Sequence, residues 1–185
     1  MNENEIKRLN DLKKSYTSFV KKTENKKLRI KDIANHLEVS EAELLSTQID
    51  NSSLKYLKIS DYNIFFKELF KSHKVMFLIR SDFIVHEKVI VCSEIEYYKN
   101  KIFFKNKKPL TDFDFKKIEN SFFEKKTHQN KPLLSFQFFD QYGNAILKIF
   151  LKSKDYSVFE SLSDKFSFVY DYNLQKNILK KNEIS

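Results

Sequence analysis

The chain has 185 residues and a net charge of +9, with 41% hydrophobic residues and 19 phenylalanines. A chain of this length predicts one domain that buries roughly 70% of the surface its unfolded form exposes, and its apolar content excludes a disordered protein. A single glycine, where average usage of about 7% would give roughly 13, excludes the glycine-rich phosphate loops and the GxSxG nucleophile elbow, and a single cysteine, Cys92, excludes an intramolecular disulfide and a Cys-cluster zinc site.

Residues 3–22 carry apolar side chains at Ile6, Leu9, Leu12, Tyr16, Phe19 and Val20, the spacing of an amphipathic helix. Thr23 to Lys27 is a polar break. Leu28 to Leu45 reads as two short helices around a turn at Glu38-Val39. Ser40 is placed to cap the second, with Glu43 completing a capping box, and Leu44 and Leu45 are placed to close that helix onto the first. Residues 46–60 read as loop and extended chain. Asp61 or Tyr62 opens a helix through Ile64, Phe65, Leu69 and Phe70 that ends near Ser72.

The period then shifts to that of strands. KVMFLIR (74–80) and FIVHEKVIV (83–91) predict a hairpin about Ser81-Asp82. Glu94–Tyr98 and Lys101–Lys105 predict a second about Lys99-Asn100. Pro109 punctuates the chain, and residues 112–125 fit a short helix and a strand equally well. LLSFQFF (133–139) and AILKIFL (145–151) predict a third hairpin, with the only glycine, Gly143, in its turn, where a positive φ is needed. Asp155 to Phe168 reads as an amphipathic helix, and the tail from Asp171 has no firm pattern. The expected fold class is α+β: N-terminal helices, an antiparallel sheet of hairpins, then a C-terminal covering helix. The expected division is an N-terminal helix over 1–27, a main domain over 28–170 and a tail over 171–185.

No stretch approaches 18 apolar residues, and Met1 to Asn10 has no apolar run behind its charges, so neither a membrane span nor a secretory signal is expected. With a lone cysteine, this points to a reducing, cytoplasmic compartment. The basic balance attracts polyanions, acidic membranes or anionic small ligands. It is concentrated in residues 1–31, with ten Lys/Arg against four Asp/Glu, and in 99–108, with five lysines and no acid. A solvated surface in a lysine-biased composition is the ordinary explanation of such runs.

Four histidines, His36, His73, His86 and His128, share no metal-ligand spacing. His86 stands out because it interrupts an apolar strand. Strict alternation puts Ile84, His86 and Lys88 on one side and Val85, Glu87 and Val89 on the other, so the strand borders a pocket or an edge. Cys92 reads as buried and inert. Arg80, one of three arginines among 34 basic residues, suggests a need for the planar, permanently charged fork. LRIKDIANHLEVSEAELL has the look of a helix-turn-helix. Its second helix presents Glu41 and Glu43, expected to be exposed and to repel phosphates, which argues for a packing motif instead.

Three stretches, LRIKDIANHLEVSEAELL, VMFLIRSDFIVHEKV and LLSFQFFDQYGNAILKIFL, occur in order over residues 28–166. Together they resemble the N-terminal repeat of the haemin-degrading and haemin transport factors of the HemS/ChuS/HmuS type. That family shows R-x-R-D-x-A-x-x-L-G-V-S-E-A-E-L, then T-R-N-x-x-x-V-H-E-K, then S-L-Q-F-F-D-x-x-G-x-A-x-x-K-I-Y-L. The resemblance implies a haem-binding α+β protein, like the single-repeat ChuX type. It implies an arginine at Arg80 facing the iron's distal side and a structural or pocket-lining histidine at His86. Haem lies in a cleft between two repeats in the longer members, with the proximal histidine on the connector. Here the second repeat and that histidine are missing, and SFFEKK stands where a W-H-H stretch is common. The cofactor-binding candidates are therefore Arg80 and His86, and the candidate iron ligands are His73, His86 and His128.

The function expected is a cytoplasmic haem-binding protein of haem and iron utilisation, a carrier for which haem degradation stays open. Its expected partners are haem, a second copy of the chain and a haem importer, with no membrane span. The alternative is a non-haem interaction or nucleic-acid-binding protein that kept the fold, nucleic acid being the less favoured of the two.

Overall fold

The structure, a computed structural model, describes residues 3–81, 84–98, 101–104, 109–112, 115–128, 130–152 and 156–168. The expected turns at Asp82 and Lys99-Asn100, the strand start at Phe83, the helix start at Asp155 and the tail from Asp171 lie outside those residues.

Helix α1 (Glu3–Lys21) is followed by a 3-10 turn (Thr23–Lys27), α2 (Ile30–His36) and α3 (Glu41–Ser46). The α2–α3 junction is set by local chemistry. Val39 N–H donates to the Ala34 carbonyl and Glu38 N–H to that of Asn35, the paired bonds of a Schellman ending, with Glu38 itself at φ 56°. Ser40 then caps α3 by accepting from Glu43 N–H at 3.1 Å. Glu43 completes the expected capping box, its carboxylate accepting from the Ser40 backbone N–H as well as from Arg8 at 2.7 Å.

Strand β1 (Leu54–Leu57) and helix α4 (Tyr62–Leu69) come next. Asp61 caps α4, accepting from Asn63 N–H at 2.7 Å and Ile64 N–H at 3.2 Å. The remaining strands are β2 (Lys74–Arg80), β3 (Val85–Val91), β4 (Ile95–Tyr98), β5 (Lys101–Phe104), β6 (Pro109–Asp112), β7 (Asn120–His128), β8 (Lys131–Phe139) and β9 (Ala145–Leu151). Helix α5 (Ser157–Phe166) follows them. The ambiguous 112–125 segment holds both expected elements in part: a 3-10 turn over Phe115–Lys117 and the start of β7.

All pairings are antiparallel. A six-stranded sheet runs β1-β7-β8-β9-β2-β3, and β4-β5-β6 form a three-stranded one. This is the α+β class expected, with β1 added at the edge and the described strands of each expected hairpin paired.

Consecutive Phe122 and Phe123 on β7 are both buried, at 0% and 1% exposure. Adjacent strand residues point to opposite faces, so this part of the sheet is covered on both sides. The first face carries Val75, Phe77, Phe123, Phe136, Phe138, Leu147 and Ile149 against α4 and α5, the main core. The second carries Phe122, Phe139 and Ala145 under Ala42 and Leu45 of α3. Leu44 turns the other way, to Leu12 of α1 and Ile33 and Ala34 of α2. Thus α3 is clamped between helices and sheet, and all six of its residues are buried. Glu41 and Glu43, expected on a solvated surface, are each 6% exposed. A helix buried all round cannot enter a DNA groove, so the packing motif is what the segment is.

Candidate functional site

Burying Glu41 requires a partner, because an isolated ionised carboxylate is costly to remove from water. Two are present. Arg80, the last residue of β2, pairs with Glu41 Oε1. Lys148, in the middle of β9, meets Glu41 Oε2 at 3.1 Å. The side chains of Glu41, Arg80 and Lys148 are 7%, 11% and 8% exposed. Register explains the meeting: Leu78 faces Lys148 across the β2–β9 pairing, and Arg80 lies two residues further along the same face. Lys148 Nζ also sits 5.7 Å from the centre of the Phe139 ring, a cation–π contact.

A polar chain continues across the sheet. Gln137, in register with Lys148, donates to Glu124 at 2.8 Å and to Ser135 Oγ at 3.3 Å, and Glu124 pairs with Lys126 at 3.0 Å. Gln137 Oε1 is buried with no hydrogen-bond partner among the described residues. Burial first, and the neighbouring Arg80 second, pull the Lys148 ammonium down to about 7, while Glu124 opposes them.

Beside Arg80 a polar cavity of about 270 Å³ opens between the α2–α3 junction and the β8–β9 turn, lined by Lys31, Ser40, Glu41, Arg80, Asn144 and Ile146 among others. Next to it the second face of the sheet lies open. The helices that cover β7 and β8 leave β3 bare: Val85 is 58% and Val89 53% exposed. By register Val85 stands opposite Arg80, Glu87 opposite Leu78 and Val89 opposite Met76, with Phe150 beyond Met76 on β9. Met76, Leu78 and Phe150 are half-buried. The result is a largely apolar strip, interrupted by exposed Glu87 between Val85 and Val89, with Arg80 at one end and Lys74 at the other.

His86 does not join it. It faces Ile79, and its neighbour Val85 faces Arg80, so His86 points to the opposite face of the sheet. It is exposed on edge strand β3, as the broken alternation suggested. His73 is exposed just before β2, at the end of the sheet away from Arg80. His128 ends β7, with β8 and β9 between it and β2. His36 is exposed and packs on Phe19, ring centres 4.4 Å apart. The candidate ligands do not converge, and no group of three or more His, Cys, Asp or Glu side chains suited to a metal ion occurs among the described residues. Cys92 is 2% exposed, and burial pushes its thiol up to about 11, so it is inert at neutral pH.

Sequence reasoning missed Glu41 and Lys148. Each lay in a stretch that carried the resemblance, VSEAELL and AILKIFL, and Arg80 lay in the third. The three stretches, distant in sequence, each deliver one charged residue to a single buried cluster.

The pattern of the haemin-degrading HemS/ChuX domain matches residues 38–166, from the α2–α3 junction to the end of α5. The chain belongs to this family. As a HemS/ChuX domain it superposes on holo-PhuS, a haem-binding protein from Pseudomonas aeruginosa, with a TM-score of 0.71 at 21% identity, covering 87% of this chain and 46% of PhuS. ChuS, a haem-degrading enzyme of Escherichia coli O157:H7, gives 0.71 at 21% identity over 86% of this chain and 48% of ChuS. The haem-binding protein ChuX gives 0.60 at 14% identity over 75% of this chain and 91% of ChuX. At these identities the likeness speaks for the shared HemS/ChuX fold. The chain spans about half the length of PhuS and ChuS. No curated relative matches it. No helix among the described residues is long and apolar enough to cross a membrane.

Proposed function

We propose that this HemS/ChuX chain is a cytoplasmic haem carrier of haem and iron utilisation, which lays the porphyrin on the open strip beside Arg80. The observation that carries this reading is the strip itself: half-buried Met76, Leu78 and Phe150 flanked by exposed Val85 and Val89, with a cation at each end and the one carboxylate of Glu87 between the two valines. A porphyrin asks for a broad apolar platform and for cations to meet its carboxylates. Arg80 supplies the fork for a carboxylate or for an oxygen on the iron. The cavity beside it, about 270 Å³, falls below the roughly 300–1,000 Å³ of enclosed small-molecule sites. Haem therefore belongs on the open face, not inside that cavity.

An open face covers one side of a ligand, and bound ligands are normally enclosed on most of their surface. A second copy of the chain is the proposed second wall, related by a two-fold axis. His73, His86 and His128 enter this reading as candidate iron ligands from that second copy. His86, on the far side of the edge strand from Arg80, reaches a porphyrin only when the porphyrin sits on the other copy. A haem importer is the proposed donor.

Hemin titration followed in the Soret region tests the reading. A saturable Soret shift is expected, with Leu78→Glu weakening it at least tenfold while the melting temperature stays within a few degrees. No shift at any protein concentration overturns it in favour of an interaction protein that kept the fold.

A further inference from the structure

We propose that Lys148 is a positioning residue for Arg80: by gaining or losing a proton it sets how firmly Glu41 holds the guanidinium, and so how strongly Arg80 attracts an anionic ligand at the open strip. The inference deepens the haem reading and rests on it only for the nature of that anion.

The geometry is a contest for one carboxylate. Glu41 offers one oxygen to Arg80 and the other to Lys148, and all three groups are screened from water. With Lys148 neutral, the trio carries no net charge and Arg80 alone balances Glu41. With Lys148 protonated, the trio carries one positive charge and the carboxylate is shared. In a site of low effective dielectric that change is felt strongly by an anion beside Arg80. Nearby charges do not cancel it. On β7, Glu124 favours the protonated amine, but it is already engaged by Lys126 and by Gln137 of β8. On α2, Asp32 is paired with Arg29, at 2.8 Å, while Arg80 acts on it from a distance. Lys126 of β7 joins Arg80 in disfavouring the protonated amine, and the uncharged ring of Phe139 covers its remaining side. The proton is exchanged near neutral pH, since burial holds the ammonium to about 7.

Linkage fixes the signs. Lowering the pH protonates Lys148, loosens Arg80 from Glu41 and strengthens anion binding. An anion bound at Arg80 must in turn raise the affinity of Lys148 for its proton, because coupling is reciprocal. A merely structural trio predicts neither effect.

Two variants separate the readings. Lys148→Met keeps the volume and the contact with Phe139 but cannot titrate, and Lys148→Arg is charged at every pH. The first readout needs no haem: the side-chain Nε–H resonance of Arg80, followed from pH 6 to 9. The second is the hemin affinity over the same range. In the wild type the Arg80 resonance is expected to move with a midpoint near neutrality, and hemin to bind roughly tenfold more tightly at the acid end, the scale of one unit charge about 12 Å from the anion at an effective dielectric of about 20. Both profiles should be flat in Lys148→Met, and in Lys148→Arg affinity should stay at the acid-end level throughout. An Arg80 resonance that does not move in the wild type, or moves equally in Lys148→Met, overturns the inference. A titrating Arg80 in a protein that binds no hemin supports the inference and overturns the haem reading alone.

Discussion

Gly143 lies against Ser40. At φ +77° in the β8–β9 turn, its position is one where an added Cβ would collide with the Ser40 side chain, and its carbonyl accepts the Ala42 N–H at 3.1 Å. The turn glycine is therefore also the seat on which the first turn of α3 rests. Gly143→Val meets two obstacles: a left-handed backbone, costing about 1–2 kcal/mol for an ordinary residue, and a steric clash with the cap of α3. The expected loss exceeds 2 kcal/mol, read as a fall in melting temperature and a lower denaturant midpoint. Gly143→Ala should lose less, and an undiminished midpoint for both variants contradicts the account.

The opposite opportunity exists at Glu38. It occupies the left-handed position of a Schellman ending, at φ 56°, where glycine is the favoured residue. Glu38→Gly is expected to stabilise the chain by about 0.5–1 kcal/mol, net of the entropy glycine brings to the unfolded state. For a chain of this size that is a rise of roughly 2–4 °C per kcal/mol in melting temperature. A differential scanning measurement that shows a fall would mean the Glu38 side chain makes a contact worth more than its backbone strain.

Arg80→Ala removes one of the two partners of a buried carboxylate but leaves Lys148 in place. Stability should fall by about 1–3 kcal/mol, the range for a buried polar group that loses a partner. Hemin affinity should fall at least tenfold. Arg80→Lys should recover part of the stability but not the affinity, because a point charge cannot replace the planar fork. Equal hemin titrations for all three proteins would remove Arg80 from the binding site.

The stability of the chain should depend on pH through Lys148. Its ammonium drops from an ordinary 10.5 to about 7 on folding. Between those values the unfolded chain binds the proton and the folded chain does not, so this group makes stability rise as pH increases from about 7 to about 10.5. Below about 7 its contribution is level. Chemical denaturation across this range should show a positive slope that Lys148→Met reduces. If the two proteins have parallel profiles, the amine is not desolvated in the folded state.

Much of the fold could be read from residue patterns, and the reason is local. The amphipathic spacing of α1, the Ser40 and Asp61 caps and the hairpin about Gly143 are all decided within a few positions of the chain. The doubly covered sheet was harder to see. LLSFQFF is too apolar to show which residues face which side, and it takes the register of β7 on β8 to send Phe122 to one core and Phe123 to the other. The buried trio was not visible at all. A charged residue in a helix is ordinarily on a solvated face, and SEAELLS gave no hint that both sides of α3 are covered. Arg80 and His86 were recognised singly. That they occupy opposite faces follows from Arg80 pairing with Val85, a register that no spacing in one strand reveals.

The contact between Glu41 and Lys148 joins residues 107 positions apart. Loop closure on that scale is entropically expensive, and local hairpins form sooner than distant contacts. The β7–β8 and β8–β9 hairpins can assemble from neighbouring segments, whereas the carboxylate of α3 finds its cations only after the N-terminal helices dock on a finished sheet. Interactions made after the transition state slow unfolding without speeding folding. Loss of the trio should thus raise the unfolding rate and leave the refolding rate nearly unchanged, with the helical cover over β7 and β8 the first part of the molecule to lift away.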